Sequence, residues 1–233
     1  MAPRLNDQVD EVIVRKTPLF SGLDEAAAAT LRASMNLVKL RKGQVLFREG
    51  DDGDHLYIVS SGKVKLGTKA NDGRENLLMI LGPGDMFGEL SLFDSGPRTA
   101  SAIAVTDSKV LALGQERVIP WVREHPEVSL QLLARLATRL RRTNEVVGDL
   151  VFSDVPGRVA KALIDLGVKF GEKREEGLYV NHDLTQEELA QLVGASRETV
   201  NKALADFAQR GWLRLDGRSV LILDYERLLK RGR

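Results

Sequence analysis

Between residues 36 and 113 the chain breaks into short apolar or alternating runs, at 36–40, 44–48, 55–60, 63–68, 76–81, 101–105 and 109–113. Gly43, Gly50, Gly53, Gly62, Asp72-Gly73 and Gly82-Pro83-Gly84 stand between them. Runs this short, bounded by turn residues, are strands rather than helices. Their regular spacing confines this half of the chain to a small antiparallel barrel or jelly roll. Upstream, the alanine-rich run 24–35 reads as a helix capped by Asp24. Residues 1–16 mix Arg, Asp and Val without turn signals and fit a short helix or a frayed tail equally.

The strand pattern is interrupted at 87–103, which reads F-G-E-L-S-L-F-D-S-G-P-R-T-A-S-A-I. Gly88 permits close backbone approach. Residues 89–93, Leu90 among them, can form one helical turn whose free N–H groups face an anion. Arg98 adds a planar donor fork matched to phosphate, and Thr99 adds a hydroxyl. Glu89 would repel a bare phosphate, yet beside a nucleotide its carboxylate accepts hydrogen bonds from a sugar hydroxyl. Together these residues ask for a phosphate and a ribose. The plainer alternative is a Gly/Pro-rich loop in which Glu89 and Arg98 form a partly buried ion pair.

Residues 116–123 read as a short helix, and a long one follows Pro126 to about Phe152. Along it Ser129, Leu133, Leu136, Leu140, Thr143, Val147 and Leu150 recur at spacings of four and three, the seam of a coiled coil. An amphipathic helix packed on its own barrel has the same pattern over this length. Arg135, Arg139, Arg141 and Arg142 read as a solvated face. Thr143, with Asn144 beside it, either fixes the register of the seam or offers hydrogen bonds to a base. Asp154 is placed to cap a further helix with Pro156 in its first turn, running to about Phe170, and 171–177 reads as a charged loop.

Residues 185–207 carry the second site. Thr185 and Glu188 form a capping box for a helix that Gly194 ends, and Ser196 caps the next. Ala190, Val200, Leu204 and Phe207 pack the pair as a helix-turn-helix. The exposed start of its second helix carries Ser196, Arg197, Glu198 and Lys202. Arg197 suits guanine, Glu198 suits a cytosine amino group, and Lys202 lies on the same face. Runs 212–215 and 219–223, joined by Asp216-Gly217-Arg218, read as a hairpin wing. Trp212 reads as core and Arg218 as a solvated turn residue.

Composition narrows the classes. The 233 residues suit two domains, and the net charge of +1 argues for no partner by itself. Residues 154–233 carry 14 Lys and Arg against 13 Asp and Glu, so a nucleic-acid reading rests on local geometry alone. Zero cysteines remove disulfides, thiolate metal sites and cysteine-ligated clusters, in keeping with a reducing compartment. No long apolar run or signal-peptide core is present, so a cytoplasmic chain with no membrane partner is expected. His55, His125 and His182 are scattered, with no triad or metal spacing, so no catalytic residue, metal or cofactor is expected.

The string at 87–103 closely resembles the phosphate-binding cassette of cyclic-nucleotide-binding domains. S-R-E-T-V at 196–200 matches the start of the recognition helix of the cyclic AMP receptor protein family, and the similarity runs from about Thr17 to the C-terminus. The resemblance implies an α+β chain: a β jelly-roll cyclic-nucleotide-binding domain at 17–125, a dimerisation helix at 126–153, and a winged helix-turn-helix at 154–233. It implies cyclic AMP held by Gly88, Glu89, Leu90, Arg98 and Thr99, with adenine contacts from Thr143 and Asn144, one of them across a homodimer. It further implies double-stranded DNA, a palindromic operator with TGTGA-type half-sites, and RNA polymerase as partners. The chain departs from many members at Lys202, where they carry arginine; lysine is a point charge rather than a fork. A haem-sensing or iron-sulfur variant is disfavoured by zero cysteines and by the intact Glu89 and Arg98. The other classes weighed are an enzyme, for which no nucleophile motif speaks, and a regulatory module acting on protein partners, which leaves the helix-turn-helix unexplained.

Overall fold

The computed structural model describes Thr17, Phe20 and residues 23–232 apart from Asn71 and Ser95, so 1–16 lie outside the described residues. The chain divides into two compact units, the first holding most residues up to Arg141 and the second holding Arg142–Arg233 together with the short stretch Ala70–Leu77.

In the first unit, helix α1 (Glu25–Ala33) starts where Asp24 Oδ1 accepts from the Ala27 amide at 2.8 Å. Strands β1 (Asn36–Leu40), β2 (Val45–Phe47), β3 (His55–Ser61), β4 (Val64–Lys69), β5 (Glu75–Leu81), β6 (Met86–Phe87), β7 (Ser101–Ala104) and β8 (Ser108–Gly114) follow. They form two antiparallel four-stranded sheets, ordered β1-β8-β3-β6 and β2-β7-β4-β5. All the expected strands are present to within a residue or so at each end. The two-residue β6, paired with β3, is an addition too short to leave a periodic trace.

Strand parity explains the layering, since successive side chains point to opposite faces. Leu56 and Ile58 of β3 lie opposite Leu113 and Leu111 of β8, and all four pack against Leu31 of α1 and Val118, Val128 and Leu132 of later helices. Val59, opposite Val110, points the other way into a second core with Val64, Leu66, Phe87, Ala102 and Ala104. The first sheet is therefore buried on both faces, which is why β3 and β8 read as almost continuous apolar runs.

Between β6 and β7 lies α2 (Leu90–Phe93), and after β8 come α3 (Gln115–Glu124) and α4 (Pro126–Phe152). The Trp121 ring of α3 packs against the capping His125, with centroids 4.0 Å apart and the planes tilted by 30°. Of the seam residues, Leu133, Leu140, Val147 and Leu150 are each more than half exposed. Among the described residues, no helix is long and apolar enough to cross a membrane.

The second unit comprises the end of α4, α5 (Val155–Phe170), β9 (Gly171–Arg174), β10 (Gly177–Asn181), α6 (Gln186–Val193), α7 (Arg197–Gln209), β11 (Leu213–Asp216), β12 (Ser219–Ile222) and α8 (Tyr225–Arg231). Asp154 caps α5, its Oδ1 accepting from the Gly157 amide at 2.9 Å. Residues 171–177 are not a free loop: β9 pairs antiparallel with β10, extending the wing to the order β11-β12-β10-β9. The charges that suggested a loop sit on an edge strand, where Lys173, Arg174 and Glu172 are solvated while their backbone is paired. Trp212, read as core, is only partly buried and stacks on Phe207 at 5.4 Å; Arg218 is an exposed turn residue, as expected.

Candidate functional site

Two arrangements of chemistry stand out, one in each unit. In the first, Phe47, Leu66, Gly88, Leu90, Ser91, Arg98, Thr99, Ala100 and Arg139 line a small cavity. Gly88 adopts φ +80°, a conformation that side chains rarely take, and a Cβ there would lie 2.7 Å from an Arg98 nitrogen and 3.0 Å from the His55 carbonyl oxygen. A Cβ at Gly53 would overlap Ser91 Oγ and lie 3.0 Å from Arg98 Cζ. Both glycines are thus required by the packing around one guanidinium.

Arg98 is 4 % exposed and lies over the Phe47 ring at 4.4 Å and the Tyr57 ring at 5.6 Å. Its Nη1 donates to the Gly88 carbonyl at 2.8 Å and to Ser91 Oγ at 2.9 Å, and its Nη2 to the His55 carbonyl at 2.8 Å. Of the five guanidinium donors, Nε–H and one Nη2–H remain, and Nε is buried with no partner. Those two share one edge, the geometry of a bidentate phosphate fork. Burial pulls the Arg98 pKa down from its ordinary value, opposed by the Tyr57, Asp54, Glu89 and Asp51 oxygens. An arginine still holds its proton under that influence, so the edge is a fixed positive charge. Burial in the same environment pushes the Tyr57 hydroxyl up.

Glu89 is 3 % exposed and forms its ion pair with Arg139 of α4, Nη1 to Oε1 at 2.5 Å, rather than with Arg98. That corrects both the Glu89–Arg98 alternative and the reading of Arg139 as a solvated residue. Arg142 is also paired, to Asp165 at 3.0 Å. Glu89 Oε2 is buried without a partner, an acceptor left over beside the cavity. The sequence held a signal for Arg139: it lies one turn before Thr143, on the same side of a helix. Gly53 and the Phe47 and Tyr57 rings gave none, because their roles depend on strand pairing. Thr143 and Asn144 follow one turn beyond Arg139 on the exposed part of α4, and among the lining residues α4 contributes Arg139 alone.

In the second unit, Thr185 and Glu188 form the capping box: the Thr185 amide donates to Glu188 Oε2 at 2.8 Å and the Glu188 amide to Thr185 Oγ1 at 3.1 Å. Gly194, at φ +63° and ψ +47°, ends α6 in the left-handed conformation that the sharp turn demands. Ser196 Oγ accepts from the Thr199 amide at 3.2 Å and starts α7. Val200, Ala203, Leu204 and Phe207 are buried, which leaves Ser196, Arg197, Glu198 and Lys202 on the exposed side. Lys202 Nζ lies 2.7 Å from Glu198 Oε1, so these two candidate base readers neutralise each other. Both are about three-quarters exposed, and such a pair is worth only about 0.3–0.5 kcal/mol. Thr199 also stands exposed on this surface, a position the sequence pattern does not single out.

Comparison with known proteins finds a domain family over each of the two regions. Residues 37–125 match the cyclic nucleotide-binding domain family, and residues 157–231 the Crp-like helix-turn-helix domain family. The chain is 56% identical over 225 residues to the CRP-like cAMP-activated global transcriptional regulator of Mycobacterium tuberculosis, covering 97% of this chain and 100% of that protein. Among solved structures, the catabolite activator protein of Thermus thermophilus aligns at 36% identity with a TM-score of 0.54, over 93% of this chain and 98% of the other. The c-di-GMP responsive global regulator CLP of Xanthomonas campestris aligns at 26% identity and 0.73, over 85% and 99%. The chain therefore belongs to the CRP family of transcription regulators, which are not enzymes but join a cyclic-nucleotide-binding domain to a DNA-binding helix-turn-helix.

Proposed function

We propose that the chain is a cyclic AMP-responsive transcription regulator that binds a palindromic operator as a homodimer. The observation that carries the ligand is the pair of unpartnered groups at the cavity. The Arg98 Nε–H edge suits a phosphodiester, and Glu89 Oε2 suits a sugar hydroxyl. A cyclic nucleotide presents both. Gly88, Leu90 and Thr99 complete the cradle, and Thr143 and Asn144 supply hydrogen bonds to adenine. The 56% identical relative, named as cAMP-activated, supports adenine over guanine.

The apolar stripe along α4 supports dimerisation, with Leu133, Leu140, Val147 and Leu150 exposed at coiled-coil spacing. In this reading 17–125 hold the ligand, 126–153 pair the protomers, and 154–233 read DNA. Two recognition helices spaced about one duplex turn, ~34 Å, enter successive major grooves. Arg197 takes guanine bidentately and Glu198 takes the cytosine amino group of TGTGA-type half-sites, with Ser196 and Lys202 alongside. The regulator works in the cytoplasm and addresses RNA polymerase there.

The test is a titration of a palindromic operator without ligand and with cyclic AMP, cyclic GMP or cyclic di-GMP. Operator affinity that rises with cyclic AMP and least with the others supports the reading. Affinity indifferent to all three nucleotides refutes the ligand-responsive part, and no operator preference refutes the DNA part.

A further inference from the structure

Arg158, in the first turns of α5, is absent from both sites, yet its guanidinium makes three hydrogen bonds to main-chain carbonyls. Nη1 donates to the Ser153 carbonyl at 2.7 Å, Nε to the Val193 carbonyl at 2.8 Å, and Nη2 to the Gly194 carbonyl at 3.3 Å. Ser153 is the first residue past α4. Val193 and Gly194 are the last residue of α6 and its cap, the turn of the helix-turn-helix. Carbonyls at a helix C-terminus lack intrahelical partners and carry the negative end of the dipole. One cation thus closes two helix ends at once.

The geometry is restrictive. A guanidinium is planar and its donors are fixed in direction, so holding three carbonyls with one group sets the end of α4 relative to the turn that aims α7. Apolar packing reinforces this link: a Cβ on Gly194 would lie 2.9 Å from Leu150 Cδ2, so the seam residue Leu150 already touches the turn. Two ion pairs, Arg142 with Asp165 and Asp149 with Lys161, tie the last turns of α4 along α5 on the same side of the joint.

We infer that Arg158 is a positioning residue that transmits the orientation of the end of α4 to the recognition helix. It touches neither nucleotide nor bases in this role. The inference rests on the ligand-responsive reading above, because what it transmits is the response to ligand. Any change of α4 that moves the Ser153 carbonyl must break this set of bonds or carry the Val193–Gly194 turn with it.

The test measures operator affinity of the full-length protein with and without saturating cyclic AMP, and cyclic AMP affinity by calorimetry, for wild type, Arg158→Met and Arg158→Lys. Methionine keeps the apolar stem and removes every donor, whereas lysine keeps the charge without the fork. The expected result is a wild-type affinity ratio above one that falls to within about twofold of one in Arg158→Met, with cyclic AMP affinity changed less than twofold. Arg158→Lys falls between. A ratio unchanged in both variants overturns the inference while leaving the ligand-responsive reading intact. A wild-type ratio of one overturns that reading and this inference with it. Should Arg158→Met not fold, Arg158→Lys decides alone: a wild-type ratio in it overturns the proposal and a reduced one supports it.

Discussion

Replacing Arg98 by methionine removes the two donors that the cavity leaves open and keeps most of the stem packed on Phe47 and Tyr57. A hydrogen bond to a charged group contributes about 1.5–3 kcal/mol. Two of them to one phosphate are therefore worth about 3–6 kcal/mol, and at about 1.4 kcal/mol per decade the expected loss of cyclic AMP affinity is roughly 10²- to 10⁴-fold. Arg98→Lys separates charge from geometry. Its ammonium keeps the positive charge but cannot reach the Gly88 and His55 carbonyls, Ser91 Oγ and the phosphate together, so a loss of at least about tenfold remains. Calorimetric titration of cyclic AMP into wild type and both variants measures this directly, with thermal melting of the ligand-free proteins to confirm that each is folded. Two of the three acceptors abandoned by Arg98, on Gly88 and Ser91, belong to residues that line the cavity, where water can replace the lost donors, so the variants are expected to fold. Folded Arg98→Met binding within tenfold of wild type would show that the phosphate is held elsewhere.

Three further outcomes follow from the same structure. Arg139→Ala strands a carboxylate that is 3 % exposed, and breaking a buried ion pair costs about 3–5 kcal/mol; the quarter-exposed arginine puts the expectation near 3, read from a shifted urea midpoint of the ligand-free protein. Burial raises the Asp165 pKa above its ordinary 3.8, so the native state favours the protonated form, and this residue's contribution is most favourable below the unfolded value and is lost as pH rises through the raised folded value. Asp165→Asn should flatten that part of a stability profile measured from pH 3 upward, and an unchanged slope contradicts the assignment. Arg197→Ala should weaken operator binding in a gel shift by roughly 5- to 150-fold per half-site, since one bidentate pairing with a base carries about 1–3 kcal/mol of discrimination, while cyclic AMP affinity stays as in wild type.

Most of the architecture could be read from the chain because its signals are local. A capping box depends on Thr185 and Glu188 alone, a left-handed helix end on Gly194, and a strand on the parity of residues such as Leu56, Tyr57, Ile58 and Val59. What could not be read depends on long-range pairing. The partner of Glu89 is Arg139, 50 residues away, and no local rule separates it from Arg98, nine residues away. Likewise the run 171–177 becomes a strand only because β10 is there to pair with it, and α8 draws its order from packing on α5 as well as from its Asp224 cap. Arg158 shows the limit most plainly. Its three acceptors are main-chain oxygens, which exist at every residue and leave no trace in side-chain identity.

The two tryptophans give the molecule a built-in optical partition. Trp121, its indole nitrogen buried, sits in the first unit, and Trp212, stacked on Phe207, in the second. Phenylalanine at either position leaves a single emitter, so each half of the chain can be followed through unfolding by its own fluorescence. Coincident transitions in the two single-tryptophan proteins would mean that both halves melt as one cooperative body. Separate transitions, drawn together by added nucleotide, would record in the light emitted by Trp212 a binding event at residues of the first unit.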